Sequence, residues 1–176
     1  LIKKKKPAKQ RLPLKDIDEF YAVYNHAEDF VQVAMEISLT TTMRAGDVAA
    51  LRFADIVDGQ LQRTIAKSAN QRGRAAAAHH GWDRTQHARL ARASQRGREL
   101  AFSRFGTTPP YVVNKEPRGP KSRKECDHPC QVTANDISRG FAKAVIECGR
   151  WTKTPPGRKP PTFHEVRGLA IDLLLK

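Results

Sequence analysis

His164 and Arg167 stand three residues apart in Pro161-Thr162-Phe163-His164-Glu165-Val166-Arg167. On a helix, that spacing makes the two side chains neighbours on one face. An imidazole that moves a proton, beside a guanidinium that forks onto two oxygens, suits the transition state of a phosphodiester. A second guanidinium, Arg44, lies far upstream in Met43-Arg44-Ala45-Gly46-Asp47, and the chemistry requires it to meet the first in space. A plainer reading stands beside this one. In it His164 and Arg167 are surface residues of an amphipathic helix whose Val166, Ala170 and Leu173 face the core.

The elements that must position these residues can be read from periodicity and caps. Thr162 with Glu165 three residues later predicts a capping box opening the His164 helix. Asp16 with Glu19 predicts another, with Ile17, Phe20, Tyr21 and Tyr24 on one side. A second helix is expected from about Asp29 to Leu39, through Phe30, Val33, Ala34 and Ile37, and ended by the β-branched run Thr40, Thr41, Thr42. A short helix then carries Arg44 and Asp47. Asp58-Gly59 between apolar residues predicts a hairpin, because both turn positions need positive φ. The returning strand is expected from about Gln60 to Ala66, ending at Lys67. Thr133 with Asp136 opens a further helix with the stripe Ile137, Phe141, Ala144, Val145 and Cys148 and a solvent side at Arg139 and Lys143. Residues 107–130 read as a surface loop, and Trp151 to Pro161 as a proline-broken loop leading to His164.

Charge narrows the partners. The 176 residues hold 32 Lys+Arg against 18 Asp+Glu, a formal net charge of +14. Such an excess points to a polyanion, nucleic acid before an acidic membrane surface. No stretch approaches the roughly 20 apolar residues of a membrane span, and Lys3 to Lys6 lead into Pro7 and polar residues rather than a signal peptide. Residues 1–15 read as a basic linker arm that also touches phosphates. The three cysteines, Cys126, Cys130 and Cys148, fit reduced thiols in a cytoplasm. Cys126-Asp-His128-Pro-Cys130 lacks a second ligand pair at zinc-finger spacing, and no metal is assigned.

Arg44-Ala-Gly-Asp47-Val-Ala-Ala-Leu-Arg-Phe-Ala-Asp55-Ile-Val-Asp-Gly59, a strand ending in Lys67, and His164-Glu-Val-Arg167 follow one another along the chain. Together they resemble the catalytic domain of the tyrosine recombinases, the lambda-like phage integrases. The resemblance covers about residues 12–69 and 125–176. It implies an α+β, mainly α fold with a small antiparallel sheet, and catalytic residues Arg44, Lys67, His164 and Arg167. Asp47 fits the family's acidic neighbour of the first arginine, while Thr42 stands where the family has a glycine. Residues 16–176 would be a partial integrase catalytic domain.

Between Lys67 and Lys115 the resemblance fails. Lysine is absent there, and Leu90 and Leu100 are the only leucines of an Arg-, Ala-, Gln- and Gly-rich stretch running from residue 69 to 104. Three readings stand: a basic, poorly ordered insertion; a helix from about Arg84 to Arg104, since Ala, Arg, Gln and Leu are good formers; or a reading-frame slip. A frame slip or disordered insert is the preferred expectation, with His79-His80 incidental.

The resemblance further implies DNA cleavage and rejoining through a 3′-phosphotyrosyl link, with no metal or cofactor. Arg44 and Arg167 would neutralise the phosphorane, Lys67 would protonate the departing 5′-oxygen, and His164 would hydrogen-bond the phosphate. The partner would be double-stranded DNA in a bacterial host cytoplasm, with a homo-tetramer in the complete protein. Two other readings are a non-catalytic basic DNA-binding remnant of an integrase and an RNA- or ribosome-associated protein, the latter poorly served by few, scattered aromatics. The family's nucleophilic tyrosine follows the second arginine, whereas Tyr21, Tyr24 and Tyr111 all precede it. This chain alone is therefore expected to form no phosphotyrosyl adduct on a nicked DNA substrate. Denaturing gel electrophoresis checks this, and a stable adduct on any of the three tyrosines would refute it.

Overall fold

The structure, a computed structural model, describes residues 10–62, 84–117 and 126–175. The expected Lys67, the end of its strand, residues 69–83 with His79-His80, and residues 1–9 of the basic arm lie outside the described residues. Helices α1 (Ile17–Tyr24), α2 (Asp29–Thr41) and α3 (Ala45–Ala49) come first. A hairpin of β2 (Ile56–Val57) and β3 (Gln60–Leu61) follows a single 3-10 turn at Phe53–Asp55. Then come α4 (Arg84–Phe105), α5 (Ala134–Glu147) and α6 (Phe163–Leu174). Near the chain's start, β1 (Gln10–Arg11) pairs in parallel with β4 (Arg158–Lys159). The arrangement is the α+β, mainly α fold expected, with one small antiparallel sheet and this added parallel pair.

Helix α2 is apolar and buried over most of its circumference, with only the Asp29, Gln32, Glu36 and Leu39 side partly exposed. Phe30, Val31, Val33, Ala34, Met35, Ile37 and Ser38 are all inaccessible or nearly so. Helices α1, α3, α4, α5 and α6 pack around it. The Asp16 cap forms as expected, its Oδ1 accepting from the Glu19 N–H at 2.8 Å. The Glu19 carboxylate closes the turn on the Lys15 N–H at 2.9 Å. The Thr133 box is complete: Asp136 accepts from the Thr133 N–H at 2.7 Å, and Thr133 Oγ1 accepts from the Asp136 N–H at 3.2 Å. Asp58 and Gly59 take φ of 51° and 73°, and Ile56 faces Leu61 across the hairpin. That is the turn their sequence called for.

Four local expectations are corrected. Helix α2 does not end at Leu39 but runs through Thr41. The Thr40 and Thr41 hydroxyls donate to the carbonyls of Glu36 and Ile37, at 2.9 and 2.7 Å, so the β-branched run is held inside the helix. The arm's described end is not solvated: Leu14 is buried, and Leu12 donates to the Lys159 carbonyl. The loop before His164 contains β4. Leu173 is 41% exposed, and Leu169 takes its expected place in the core of α6.

The largest correction concerns residues 84–105. They are neither disordered nor separate from the fold, for α4 lays Leu90, Ala93, Ser94, Gly97 and Ala101 against the core. Small residues on that stripe let the helix approach closely. Its arginines act as tethers: Arg96 donates to the Tyr24 hydroxyl, Gln32 and Glu36, and Arg104 pairs with Asp29 at 2.7 Å. Partial burial, then the neighbouring Glu36 carboxylate, pushes the Tyr24 hydroxyl up to about 12.

Part of the nominal surface loop after α4 is likewise interior. Tyr111, Val112 and Val113 are buried, Val112 donates to the Leu51 carbonyl, and Phe53 donates to Pro110. Asn114 Nδ2 reaches the carbonyls of Gly97, Tyr111 and Val112, each at 3.2–3.3 Å. A Cβ at Gly97 would lie 2.5 Å from the Val112 carbonyl oxygen. Gly97→Ala is therefore expected to destabilise the chain by about 1–3 kcal/mol through overpacking, despite a helix-propensity gain of about 1 kcal/mol. Urea unfolding of the two proteins measures the difference.

Candidate functional site

Arg44 is placed by the way α2 ends. Thr42 caps the helix in the left-handed region, with φ 55° and ψ 20°, its N–H donating to the Ser38 carbonyl. The buried Ser38 hydroxyl donates to the Met43 carbonyl at 3.0 Å, and the Met43 N–H donates to Thr41 Oγ1 at 3.3 Å. These bonds turn the chain sharply, and Arg44, extended at φ −79° and ψ 158°, becomes the N-cap of α3. Met43 is sealed in the core while Arg44 is exposed. Asp47 sits in the first turn of α3.

His164 and Arg167 are placed by α6. Its Phe163 meets Phe141 of α5 edge-on, ring centroids 5.8 Å apart, and Val166, Leu169 and Ala170 face the core. His164 is thereby turned outward, and Arg167 is half-buried one turn on. The expected capping box is absent. Thr162 is the N-cap, yet its side chain makes no cap bond, and only its carbonyl engages Glu165. Its hydroxyl instead accepts from the Arg11 guanidinium at 3.5 Å, a long and weak bond.

These segments line one cleft of about 380 Å³, walled by Arg11, Met43, Arg44, Ala45, Gly46, Ser138, Thr162, Phe163, His164 and Arg167. Arg44, His164 and Arg167, three of the four residues singled out in the sequence, therefore line the same cleft. The Arg167 Nε is buried without a hydrogen-bond partner among the described residues. Elsewhere, Arg52, Arg96, Arg104, Lys115 and Lys143 each face a carboxylate. Among the described residues, no ion pair neutralises Arg11, Arg44 or Arg167. A buried guanidinium N–H left unpaired costs about 1–3 kcal/mol, which an oxyanion in the cleft would offset. Clustered guanidinia with an adjacent imidazole can hold a phosphate and shift a proton at it.

Sequence reasoning missed Arg11, Ser138 and Thr162 as cleft residues. Arg11 belongs to a basic run that composition alone reads as a linker, and its position depends on the β1–β4 pairing across 148 positions (159 − 11), Arg11 lying opposite Lys159. The Cys126–Cys130 segment is a local turn, Cys130 donating to the His128 ring nitrogen at 3.1 Å. Among the described residues no cluster of three metal-ligating side chains occurs, and no helix is long and apolar enough to cross a membrane.

The mainly helical fold with its small hairpin is that of an integrase catalytic domain. Solved structures bear this out at the level of fold: a lambda integrase dimer bound to a COC′ core site matches with a TM-score of 0.63 and 21% identity over 98% of this chain and 55% of that one. The lambda integrase catalytic core matches at 0.60 and 21% identity, covering 93% of this chain and 82% of that one. A lambda integrase tetramer bound to a Holliday junction matches at 0.64 and 22%, covering 98% and 44%. In sequence, the integrase of Enterobacteria phage P21 is 26% identical over 163 residues, 92% of this chain and 38% of that relative's length. The chain is a homologue of the phage integrases and has the fold of the lambda integrase catalytic core. No family model matches the sequence.

Thr42 pays a conformational penalty for delivering Arg44. A β-branched residue in the left-handed region is strained by about 1–2 kcal/mol, and glycine is free of that strain. Thr42→Gly is expected to raise stability by about 1 kcal/mol after the extra freedom of the unfolded glycine chain is deducted, with the transition midpoint in urea as the readout.

Proposed function

We propose that this chain is the phosphate-gripping part of a tyrosine recombinase catalytic domain, acting in phage-type site-specific DNA recombination. The observation that supports the reading most is the convergence of Arg44, His164 and Arg167, from segments 120 positions apart at Arg44 and His164, on one cleft with an unpartnered guanidinium Nε. In this reading Arg44 and Arg167 hold two non-bridging oxygens of the scissile phosphate of double-stranded DNA. Charge grows on those oxygens as a tyrosine hydroxyl attacks, so the guanidinia bind the phosphorane more tightly than the diester, which is where the rate comes from. His164, outward and one turn from Arg167, donates to the same phosphate. Lys67 is proposed as the acid that protonates the departing 5′-oxygen. Nothing but these side chains is required, neither metal nor cofactor.

The DNA in the lambda integrase structures, and the tetramer on a Holliday junction, support duplex DNA as partner and a homo-tetramer for the whole recombinase, in the cytoplasm of a bacterial host. Residues 16–176 act as the partial catalytic domain and residues 1–15 as the arm leading into it. A second reading, a non-catalytic DNA-binding remnant of an integrase, is favoured by one fact. No tyrosine lines the cleft: Tyr21 and Tyr24 lie on α1, and Tyr111 is buried beside Arg52 and Asp127. The two readings part on strand cleavage, since Arg44→Ala or Arg167→Ala abolishes it at near-normal binding only in an enzyme.

The site itself is testable on this chain by NMR of the His164 imidazole during titration with duplex DNA. Its resonances are expected to move on binding in the wild-type chain and to stay unmoved in Arg44→Ala/Arg167→Ala at equal occupancy. A duplex that binds tightly without moving His164 would place the DNA elsewhere and refute the site.

A further inference from the structure

We propose that Arg11 is a third phosphate-binding residue of the cleft, so that the strand entering the domain is itself part of the site. This inference rests on the reading of the cleft as a DNA-phosphate site and adds to it a residue outside the expected catalytic set. Three observations carry it. Arg11 lines the cleft with Arg44 and Arg167. Its backbone is fixed by the parallel pairing Gln10↔Arg158 and Arg11↔Lys159, extended by the Leu12 N–H donating to the Lys159 carbonyl at 2.9 Å, and anchored by buried Leu14. Among the described residues its guanidinium meets only a hydroxyl, Thr162 Oγ1, at 3.5 Å, and no carboxylate.

The energetics favour exchange of that contact for an anion. A neutral hydroxyl at the limit of hydrogen-bond distance holds a guanidinium weakly, whereas a charge-assisted fork onto phosphate is about twice as strong as a neutral bond. Thr162 gains nothing from the bond as a helix cap, since it makes none. The Thr162 contact instead parks Arg11 beside the first turn of α6, within the same wall as His164. Because β1 ends at Arg11, a duplex held there is gripped by the incoming strand and by α3 and α6 together. The phosphate it takes is a backbone diester of the DNA that occupies the cleft, at or next to the one held by Arg44 and Arg167.

Counterion release gives a readout specific to phosphate contacts. Each neutralised phosphate contributes about 0.9 to the slope of log K against log salt on duplex DNA. Binding of a mixed-sequence duplex by the full chain is measured by fluorescence anisotropy at several NaCl concentrations, for wild type, Arg11→Ala, Arg11→Lys, Arg44→Ala and Arg167→Ala. The expected result is a slope shallower by about 1 in Arg11→Ala, retained in Arg11→Lys, with Arg44→Ala and Arg167→Ala shallower to a similar degree. An unchanged slope in Arg11→Ala, with Arg44→Ala and Arg167→Ala still shallower, overturns the role of Arg11 and leaves the cleft as the DNA site. Unchanged slopes in all three alanine variants overturn the cleft reading as well. Should Arg11→Ala unfold, as thermal melting would show, Arg11→Gln keeps the stem and the hydrogen bonding but not the charge, and the same slope criterion applies to it.

Discussion

Burial of α2 over most of its circumference is the constraint on which the rest of the molecule depends. A helix with Phe30, Val31, Val33, Ala34, Met35 and Ile37 around its circumference cannot rest on any surface of the protein. It must be enclosed, and α1, α3, α4, α5 and α6 enclose it. Both halves of the cleft are set by this one helix. Arg44 leaves from its C-terminal end through the Ser38–Thr42 turn, and α6, which carries His164 and Arg167, packs along its side. A disturbance of α2 would therefore move the two guanidinia relative to one another, although neither belongs to it.

Among the described residues the cleft brings together cations that no ion pair neutralises, while some cations elsewhere are paired. Arg96 is drawn into a shared network with Tyr24, Gln32 and Glu36, and Arg104 is drawn to Asp29, because those side chains hold α4 onto α2. Isolated surface pairs of this kind contribute little, about 0–1 kcal/mol, so the partly buried Arg96 cluster matters more than the exposed ones. In the cleft, cations brought together without carboxylates raise the free energy of the empty site. An anion that relieves the repulsion binds the folded state alone, and thereby stabilises it by mass action.

Legibility from sequence varied with the range of the interaction responsible. The Asp16 and Thr133 caps, the Asp58-Gly59 turn and the stripe of α5 were all readable, because each joins residues within about a turn of one another. The Thr162–Glu165 pattern had the same form yet yields no box, since Arg11 from another part of the chain takes the Thr162 hydroxyl. Residues 84–105 were misjudged because their composition is polar on average, with few branched apolar residues. Apart from Leu90, the buried residues Ala93, Gly97 and Ala101 bury through their smallness. Tyr111 to Asn114 looked like loop for a related reason. They are held by long-range bonds, Val112 N–H to the Leu51 carbonyl and the Asn114 side chain to the Gly97 carbonyl, which leave no periodic trace.

By itself the sequence determined the residue types for phosphate chemistry, the basic charge, the mainly helical class and the local turns, since all of these follow from side-chain identity and near-neighbour geometry. The order of the Arg44, Lys67 and His164-Arg167 motifs was enough to point to the integrase family. Tertiary structure alone decided that Arg44, His164 and Arg167 share one cleft, that Arg11 joins them, and that an arginine-rich segment is a core helix. The reason is physical. Pairing between positions 11 and 159, or packing of Gly97 on Val112, is selected by the free energy of the whole enclosed core, and no short stretch of chain carries that sum.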